Sequence, residues 1–495
     1  MIHRMSEILL SRLSDFLEAQ MGLHFPPERW RDLARGIGAA ATEFGFADTE
    51  ACIQWLLASP VTRHRIEVLA SHLTVGETYF FRDKKIFDLL EGQILPELIG
   101  SRRGTNQRLR IWSAGCATGE EPYSIAILLH KLIPDLECWN LTILATDINP
   151  RFLQKASRGI YADWSFRDTP GWVREAYFRK IEGGRFQILP SIQKLVSFLH
   201  LNLAEDAYPS LSNNTNALDV IFCRNVLMYF AAEWQKKVAV NLHRSLLEGG
   251  WLMVSPSELS HILFSQFRTV HFPSAILYRK DSEYAAAPIL GLAATTFLSP
   301  EVDRPTVFFP EFPESLSAAA AAPLREEAPV SPYPEALTRY HQGRYAEVVE
   351  KLSCWLSQDQ SDTNAMCLLA RAYANEGRLA KALEWCEKAL AADKLNAGCH
   401  YLRAMILQEQ AAEEEAAVSL QRTLYLDPKF AMAHFSLGNL ALRQGKVKDS
   451  GRYFKNALSL LQAHPPGEIL PESEGITAER LMEIIRSTIC EEKIL

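Results

Sequence analysis

"IWSAGCATGEEPYSIA", residues 111–126, changes character twice along its length. Ile111 to Ala114 read as the end of a buried strand. Gly115 to Gly119 read as a tight turn of small residues, and Pro122 as the opening of a helix. A strand, a glycine turn and a helix in that order form the ligand-binding unit of open α/β sheets, with proline tolerated in the first helical turn. Glycines there allow a ligand to approach the backbone closely. A helix N-terminus is well suited to phosphate. Here, however, Glu120 and Glu121 stand at the turn, and no Gly-Lys-Ser/Thr sequence follows it. The two acids suit a cationic or neutral ligand.

Outward from this unit, short apolar runs alternate with helical stretches. "LRIWSAG", "LTILATDI", "VSFLHLNL", "LDVIFCRNV" and "GWLMVSPSE" read as buried strands, with "PYSIAILLHKLI", "RFLQKASRGI" and "WQKKVAVNLHRSLL" as helices between them. This alternation predicts an α/β fold with a mostly parallel, Rossmann-like sheet covered on both faces. "FRTVHFPSAILYRK" predicts an additional strand pair. Asp147 ends the second strand in "LTILATDINP", the position from which an acid grips ribose hydroxyls. The structural alternative is that Asp147 and Asn149 cap the following helix. S-adenosylmethionine fits the pattern: it carries an ammonium, a sulfonium and a ribose, and no phosphate.

A chain of 495 residues is too long for one core. Residues 1–90 read as a helical domain, with Leu9, Leu10, Leu13, Phe16 and Leu17 at helical spacing. Residues 91–281 form the α/β domain, and 282–331, rich in Ala, Pro, Glu and Ser, read as an extended, mobile linker. Beyond it, Gly343, Gly377 and Gly445 fall on a period of roughly 34 residues, that of the tetratricopeptide repeat. Ala411 replaces the missing glycine. Three or four helical hairpins over 332–465 therefore form an all-α solenoid, and 466–495 either cap it or hang free.

A net charge of −7 gives no footprint for nucleic acid. Nine scattered cysteines suggest neither a disulfide framework nor a metal site, and the N-terminus is unlike a signal peptide. Cys116 and Cys223 read as small buried residues. The histidines read as structural. No stretch calls for direct membrane insertion, and the setting expected is bacterial and cytoplasmic.

Four stretches together, "HLTVGETYFFRD" (72–83), "SAGCATGEEPYSIA", "ATDIN" and "DVIFCRNVLMYF" (219–230), resemble the CheR family, over about residues 10–280. These are methyltransferases that esterify glutamates on chemotaxis receptors, and some homologues carry a tetratricopeptide module. The resemblance implies a small N-terminal helical domain, a class I S-adenosylmethionine fold and S-adenosylhomocysteine as product. By motif, Thr78 and Arg82 would lie near the cofactor, and Glu121 would meet its methionyl end. Asp147 would hold the ribose, Asn202 and Leu203 the adenine region, and Asn225 and Val226 the methionyl side. Arg82 and Tyr229 would face the reacting centre. Gly76 stands where many members have Asn, so that any contact there falls to its backbone.

The resemblance further implies a protein-glutamate O-methyltransferase recruited to membrane receptor arrays. Its partners would be receptor cytoplasmic helices, with a protein or peptide on the concave face of the repeats. Some members dock a receptor tail on a longer glycine-containing hairpin. Here "YFRKIEGGRFQILPSIQKL" (177–195) is short, so direct recognition of the receptor helix is expected instead. The competing functions are a non-catalytic chemosensory scaffold that senses the cofactor and a methyltransferase with another substrate. Against base methylation, an Asn/Asp-Pro-Pro-Tyr loop is absent.

Overall fold

The computed structural model describes residues 6–205, 207–281, 331–358, 362–465, 467–473 and 476–492. Six helices come first: α1 (Glu7–Met21), α2 (Trp30–Glu43), α3 (Thr49–Ala58), α4 (Arg63–Leu73), α5 (Lys84–Leu89) and α6 (Leu95–Arg102). Helix α1 buries Leu10, Leu13, Leu17 and Met21 on one stripe and stops at Gly22, whose φ of 70° is left-handed.

The α/β region follows as β1 (Arg108–Ala114), α7 (Glu120–Leu132), β2 (Asn140–Asp147), α8 (Pro150–Arg158), β3 (Ile160–Tyr161), α9 (Gly171–Tyr177), β4 (Phe178–Ile181) and β5 (Arg185–Ile188). It continues with α10 (Pro190–Gln193), β6 (Val196–His200), β7 (Leu218–Phe222), α11 (Ala232–Ser245), β8 (Leu246–Met253), β9 (Arg268–His271) and β10 (Ile276–Arg279). The main sheet has the order β6-β2-β1-β7-β8-β10-β9. Its first five strands are parallel, and β10 and β9 add an antiparallel edge, the expected strand pair.

Every residue of β1 is buried, as a central strand covered on both faces requires. Trp112 faces the core shared with α1 to α4, and Ile111 faces the core beneath α7. The stretch 177–195 holds a short hairpin within a second sheet, β3-β5-β4, with four residues in each of β4 and β5.

Eight helices form four hairpins: α12 (Tyr333–His341) with α13 (Tyr345–Gln358), α14 (Thr363–Asn375) with α15 (Leu379–Ala392), α16 (Ala397–Glu409) with α17 (Glu413–Leu426), and α18 (Ala431–Arg443) with α19 (Val447–Leu461). Gly343, Gly377 and Gly445 close the first helix of their hairpins at φ of 75°, 72° and 71°. Ala411 takes the same conformation, φ 59°, so the third hairpin keeps its turn despite the left-handed penalty of about 1–2 kcal/mol for an L residue. Helix α20 (Ala478–Glu492) caps the solenoid, burying Leu481, Ile485 and Ile489 with Phe454 and Leu461.

The described residues show the repeats packed against the α/β domain. Glu409, at the end of α16, accepts from Arg108 Nη2 at 3.0 Å and from Asn216 Nδ2 at 2.8 Å, and pairs with Arg110 at 3.6 Å. All three charged side chains are buried. Leu211, in the loop before β7, joins the core of the repeats. A Cβ on Gly343 would lie 2.5 Å from Arg244 Cγ, and one on Gly377 2.9 Å from Leu247 Cδ2. The turns of the hairpins thus dock near the starts of β1, β7 and β8, and Asn140 at the start of β2 donates to the Glu409 carbonyl at 2.6 Å. Residues 282–330, read as linker, lie outside the described residues. Among the described residues no helix is long and apolar enough to cross a membrane.

Candidate functional site

The chain leaves β1 towards β2 and β6 on one side and returns to β7 and β8 on the other. The switch point therefore lies between β1 and β7, where open α/β sheets bind ligands beyond the C-terminal strand ends. A cavity of about 740 Å³, counting its open mouth, occurs there. It is lined after β1 by Gly115 and Ala117, after β2 by Asp147, after β6 by Asn202 and Leu203, and after β7 by Asn225, Val226 and Tyr229. Gly115 has φ 76°, and a Cβ on it would strike Val226 Cγ2 at 2.4 Å, so only glycine lets these two loops close up.

Asp147 is 8% exposed and accepts from Ala117 N at 2.8 Å and Asn149 N at 2.9 Å. Burial pushes its carboxyl up to about 6, against the pull of those backbone donors. Asn149 caps α8 through Arg151 N and Phe152 N and also donates to Thr74 Oγ1 at 2.9 Å. The capping role therefore falls to Asn149, and Asp147 lines the cavity.

The acids of the opening stretch serve local roles. Glu120 is 1% exposed and accepts from Thr118 Oγ1 at 2.6 Å and Ser165 Oγ at 3.0 Å. Glu121 accepts from Ser113 Oγ at 2.7 Å and Arg224 Nη1 at 3.1 Å. Arg224 also donates to the Arg82 carbonyl at 3.0 Å and pairs with Asp83 at 3.3 Å. One buried guanidinium therefore ties the 77–83 loop to α7 and to the end of β7. Arg82 itself donates to the Glu77 carbonyl at 2.7 Å.

Of the residues singled out from sequence, Asp147, Asn202, Leu203, Asn225, Val226 and Tyr229 line the cavity, while Gly76, Thr78, Arg82 and Glu121 are outside its lining. A Cβ on Gly76 would lie 2.5 Å from the Phe152 ring, which does line it. The ring thus fills the space that a side chain at position 76 would need.

Two contributions escaped the sequence. Met21, Leu23, His24, Phe25 and Arg29 close the cavity from the N-terminal helices. Asn202 Nδ2 donates to Gln20 O at 3.0 Å and His24 N to Tyr229 O at 2.8 Å, fixing that lid-like segment in place. The Arg29 guanidinium stands 5.3 Å from the centre of the Tyr229 ring.

The second contribution is Glu258, 7% exposed, whose carboxylate accepts from Asn225 N at 2.6 Å, Val226 N at 2.7 Å, Met228 N at 3.2 Å and Ser255 Oγ at 2.6 Å. It holds the loop after β7, where Asn225 adopts φ 58°. "SPSE" reveals a capping box in the sequence, but gives no sign of the loop it binds.

Residues 76–276 match the model of the CheR methyltransferase SAM-binding domain, and 363–394 match a tetratricopeptide repeat. A chemotaxis protein methyltransferase of Borreliella burgdorferi is 31% identical over 251 residues, 50% of this chain and 87% of that protein. This chain belongs to the CheR family. Chemotaxis protein methyltransferase 1 of Pseudomonas aeruginosa is 36% identical over 218 residues, 43% of this chain and 77% of that protein.

As a CheR protein it is an S-adenosylmethionine-dependent methyltransferase. The donor set fits that ligand. The cavity offers a carboxylate at the strand end, apolar walls and backbone groups. The phosphate-binding Gly-Lys-Ser/Thr signature is absent from the glycine turn, which reads Gly119-Glu120-Glu121 instead.

Proposed function

We propose that this CheR protein methylates glutamate carboxylates of methyl-accepting chemotaxis receptors and releases S-adenosylhomocysteine, with the repeats serving protein interaction. The observation that carries the reading is the cavity at the switch point, with Asp147 at its strand end and Tyr229 beside Arg29 in its wall. Asp147 would hold the ribose hydroxyls, Asn202 and Leu203 the adenine side, and Asn225 and Val226 the methionyl side. When bound, S-adenosylmethionine supplies a methyl group on a positively charged sulfur.

The receiving carboxylate, with a pKa of about 4.3, is already an anion at neutral pH. Its oxygen forms the new O–C bond as the C–S bond breaks, the electron pair goes to sulfur, and no proton has to move. No general base is required. The protein's task is alignment, which supplies on the order of 7–11 kcal/mol. Tyr229 shapes the slot, and Arg82, anchored through Arg224 and Glu77, guides the carboxylate.

Incubation with labelled cofactor and receptor cytoplasmic fragments tests the reading through base-labile methanol release. Asp147→Ala is expected to abolish cofactor uptake in calorimetry, and Arg82→Ala to slow transfer with uptake retained. Uptake without any base-labile product on a receptor would refute the ester reading.

A further inference from the structure

The repeats have two edges. One, carrying the turns within hairpins, is occupied by the catalytic domain through Glu409, Gly343 and Gly377. The other carries the turns between hairpins, at the opposite ends of the helices. On α16, His400 and Arg403 precede Glu409 by roughly 9–14 Å of helix at 1.5 Å per residue. There α15, α16 and α17 enclose a hollow lined by Glu387, Lys394, His400, Arg403, Arg422 and Tyr425, among others.

Three of these side chains are cations. Glu387 is the one acid in the lining, and its carboxylate already accepts from Arg403 at 2.6 Å. The acids of the adjoining turns are engaged locally: Asp393 accepts from Leu395 N at 3.0 Å and Asp427 from Lys429 N at 2.9 Å. Lys394 and Arg422 are exposed and have no ion-pair partner among the described residues.

Two further features point to a ligand. His400 is 8% exposed, and its Nε2 lies 3.2 Å from the Lys394 carbonyl. Nε2 therefore carries the proton, and Nδ1 presents a lone pair that is buried without a hydrogen-bond partner. Such a group is costly to leave unmet. Tyr425, in the lining, is 87% exposed, an aromatic side chain standing in water at the rim, and Leu395, next in sequence to Lys394, is 76% exposed.

We propose that this hollow docks an acidic peptide segment of a partner protein. Carboxylates of the segment meet Lys394 and Arg422, a backbone N–H meets His400 Nδ1, and an apolar side chain lies on Tyr425. A single recess with three cations and an aromatic rim suits a short peptide better than a nucleic-acid backbone, which needs a stripe or face of cations. The site leaves the catalytic cavity free, since it lies on the repeat edge turned away from the catalytic domain. The proposal rests on the reading of the repeats as a partner-binding module and is independent of the methylated substrate.

Fluorescence anisotropy on the full chain tests it with a labelled peptide of glutamates flanking two phenylalanines, beside a twin in which lysines replace the glutamates. Saturable binding of the acidic peptide alone is expected. Lys394→Glu combined with Arg422→Glu should weaken it at least ~10-fold, about 1.4 kcal/mol, and Tyr425→Ala by several-fold. Both charge-reversed positions are exposed, so circular dichroism and cofactor uptake by calorimetry should stay unchanged.

Absence of saturable binding would overturn the proposal, as would equal binding of the lysine twin. Displacement by inorganic polyphosphate at equal charge would reduce the hollow to a generic anion surface and overturn it as well. Binding unaffected by the double reversal would refute this hollow while leaving the repeats a partner module.

Discussion

Replacing Glu409 by glutamine removes one negative charge from between two buried guanidinium groups and changes little else in volume. The side chains of Arg108 and Arg110 are 6% and 2% exposed, so neither can turn to water without separating the repeats from the sheet. Burial already draws Arg110 down to about 10, with Glu409 opposing that shift. Removing one partner of a buried pair costs about 3–5 kcal/mol, because the charges left behind stay desolvated. A glutamine still offers one oxygen, which places Glu409→Gln at the lower end.

At about 2–4 °C per kcal/mol for a unit of 150–250 residues, the midpoint should fall by roughly 6–12 °C in differential scanning calorimetry of the full chain. If docking alone is weakened, one endotherm should separate into two, for the repeats and for the catalytic domain. A cycle with Arg108→Met should return a coupling energy of about 1 kcal/mol or more. A midpoint within about 1 °C of the parent, with a single transition, would refute the account of the interface.

Three further predictions follow from the same geometry. Gly377→Ala and Gly445→Ala incur the same left-handed penalty, but only at Gly377 would the new Cβ meet Leu247, at 2.9 Å, while nothing lies within 4 Å of Gly445; Gly377→Ala should therefore be the more destabilising in thermal melts, and equal losses would contradict the docked arrangement. Glu258→Gln should weaken S-adenosylmethionine binding about 10–100-fold in calorimetry, since backbone donors at Asn225 and Val226 lose charged acceptance worth about 1–3 kcal/mol; an unchanged affinity would show that the loop needs no such support.

The third concerns pH. Asp147 titrates at about 6 in the folded chain against 3.8 ordinarily, so the folded state binds a proton across that window. Its contribution to stability is present below 3.8 and is lost as pH rises through 6. Ribose hydroxyls need the ionised form, so cofactor affinity should drop about tenfold between pH 7 and pH 5, and Asp147→Asn should flatten that dependence. A flat profile in the parent chain would exclude Asp147 as the acceptor.

Much of the candidate site's lining was legible because its signals are local. The strand, glycine turn and helix of 111–126, the acid ending β2 and the loop after β7 each declare themselves within a dozen residues. The role of the Glu120–Glu121 pair did not. Neither acid lines the cavity, because Thr118, Ser165, Ser113 and Arg224 take their oxygens. Arg224 lies 103 residues from Glu121, and no periodicity relates positions so far apart. Met21 to Arg29 reach the cavity only because α1 packs over the sheet, and a helical stripe in sequence does not name the surface it will cover.

By itself the sequence determined the order of elements: helices, a doubly covered parallel sheet, and hairpins repeating on a glycine period. Each of these follows from hydrophobic spacing and turn chemistry, which act over a few residues. Tertiary structure alone decided that the repeats are seated on the catalytic domain. Arg108 and Glu409 are 301 residues apart, and each would read as an ordinary surface charge until folding buries both against the same strand end.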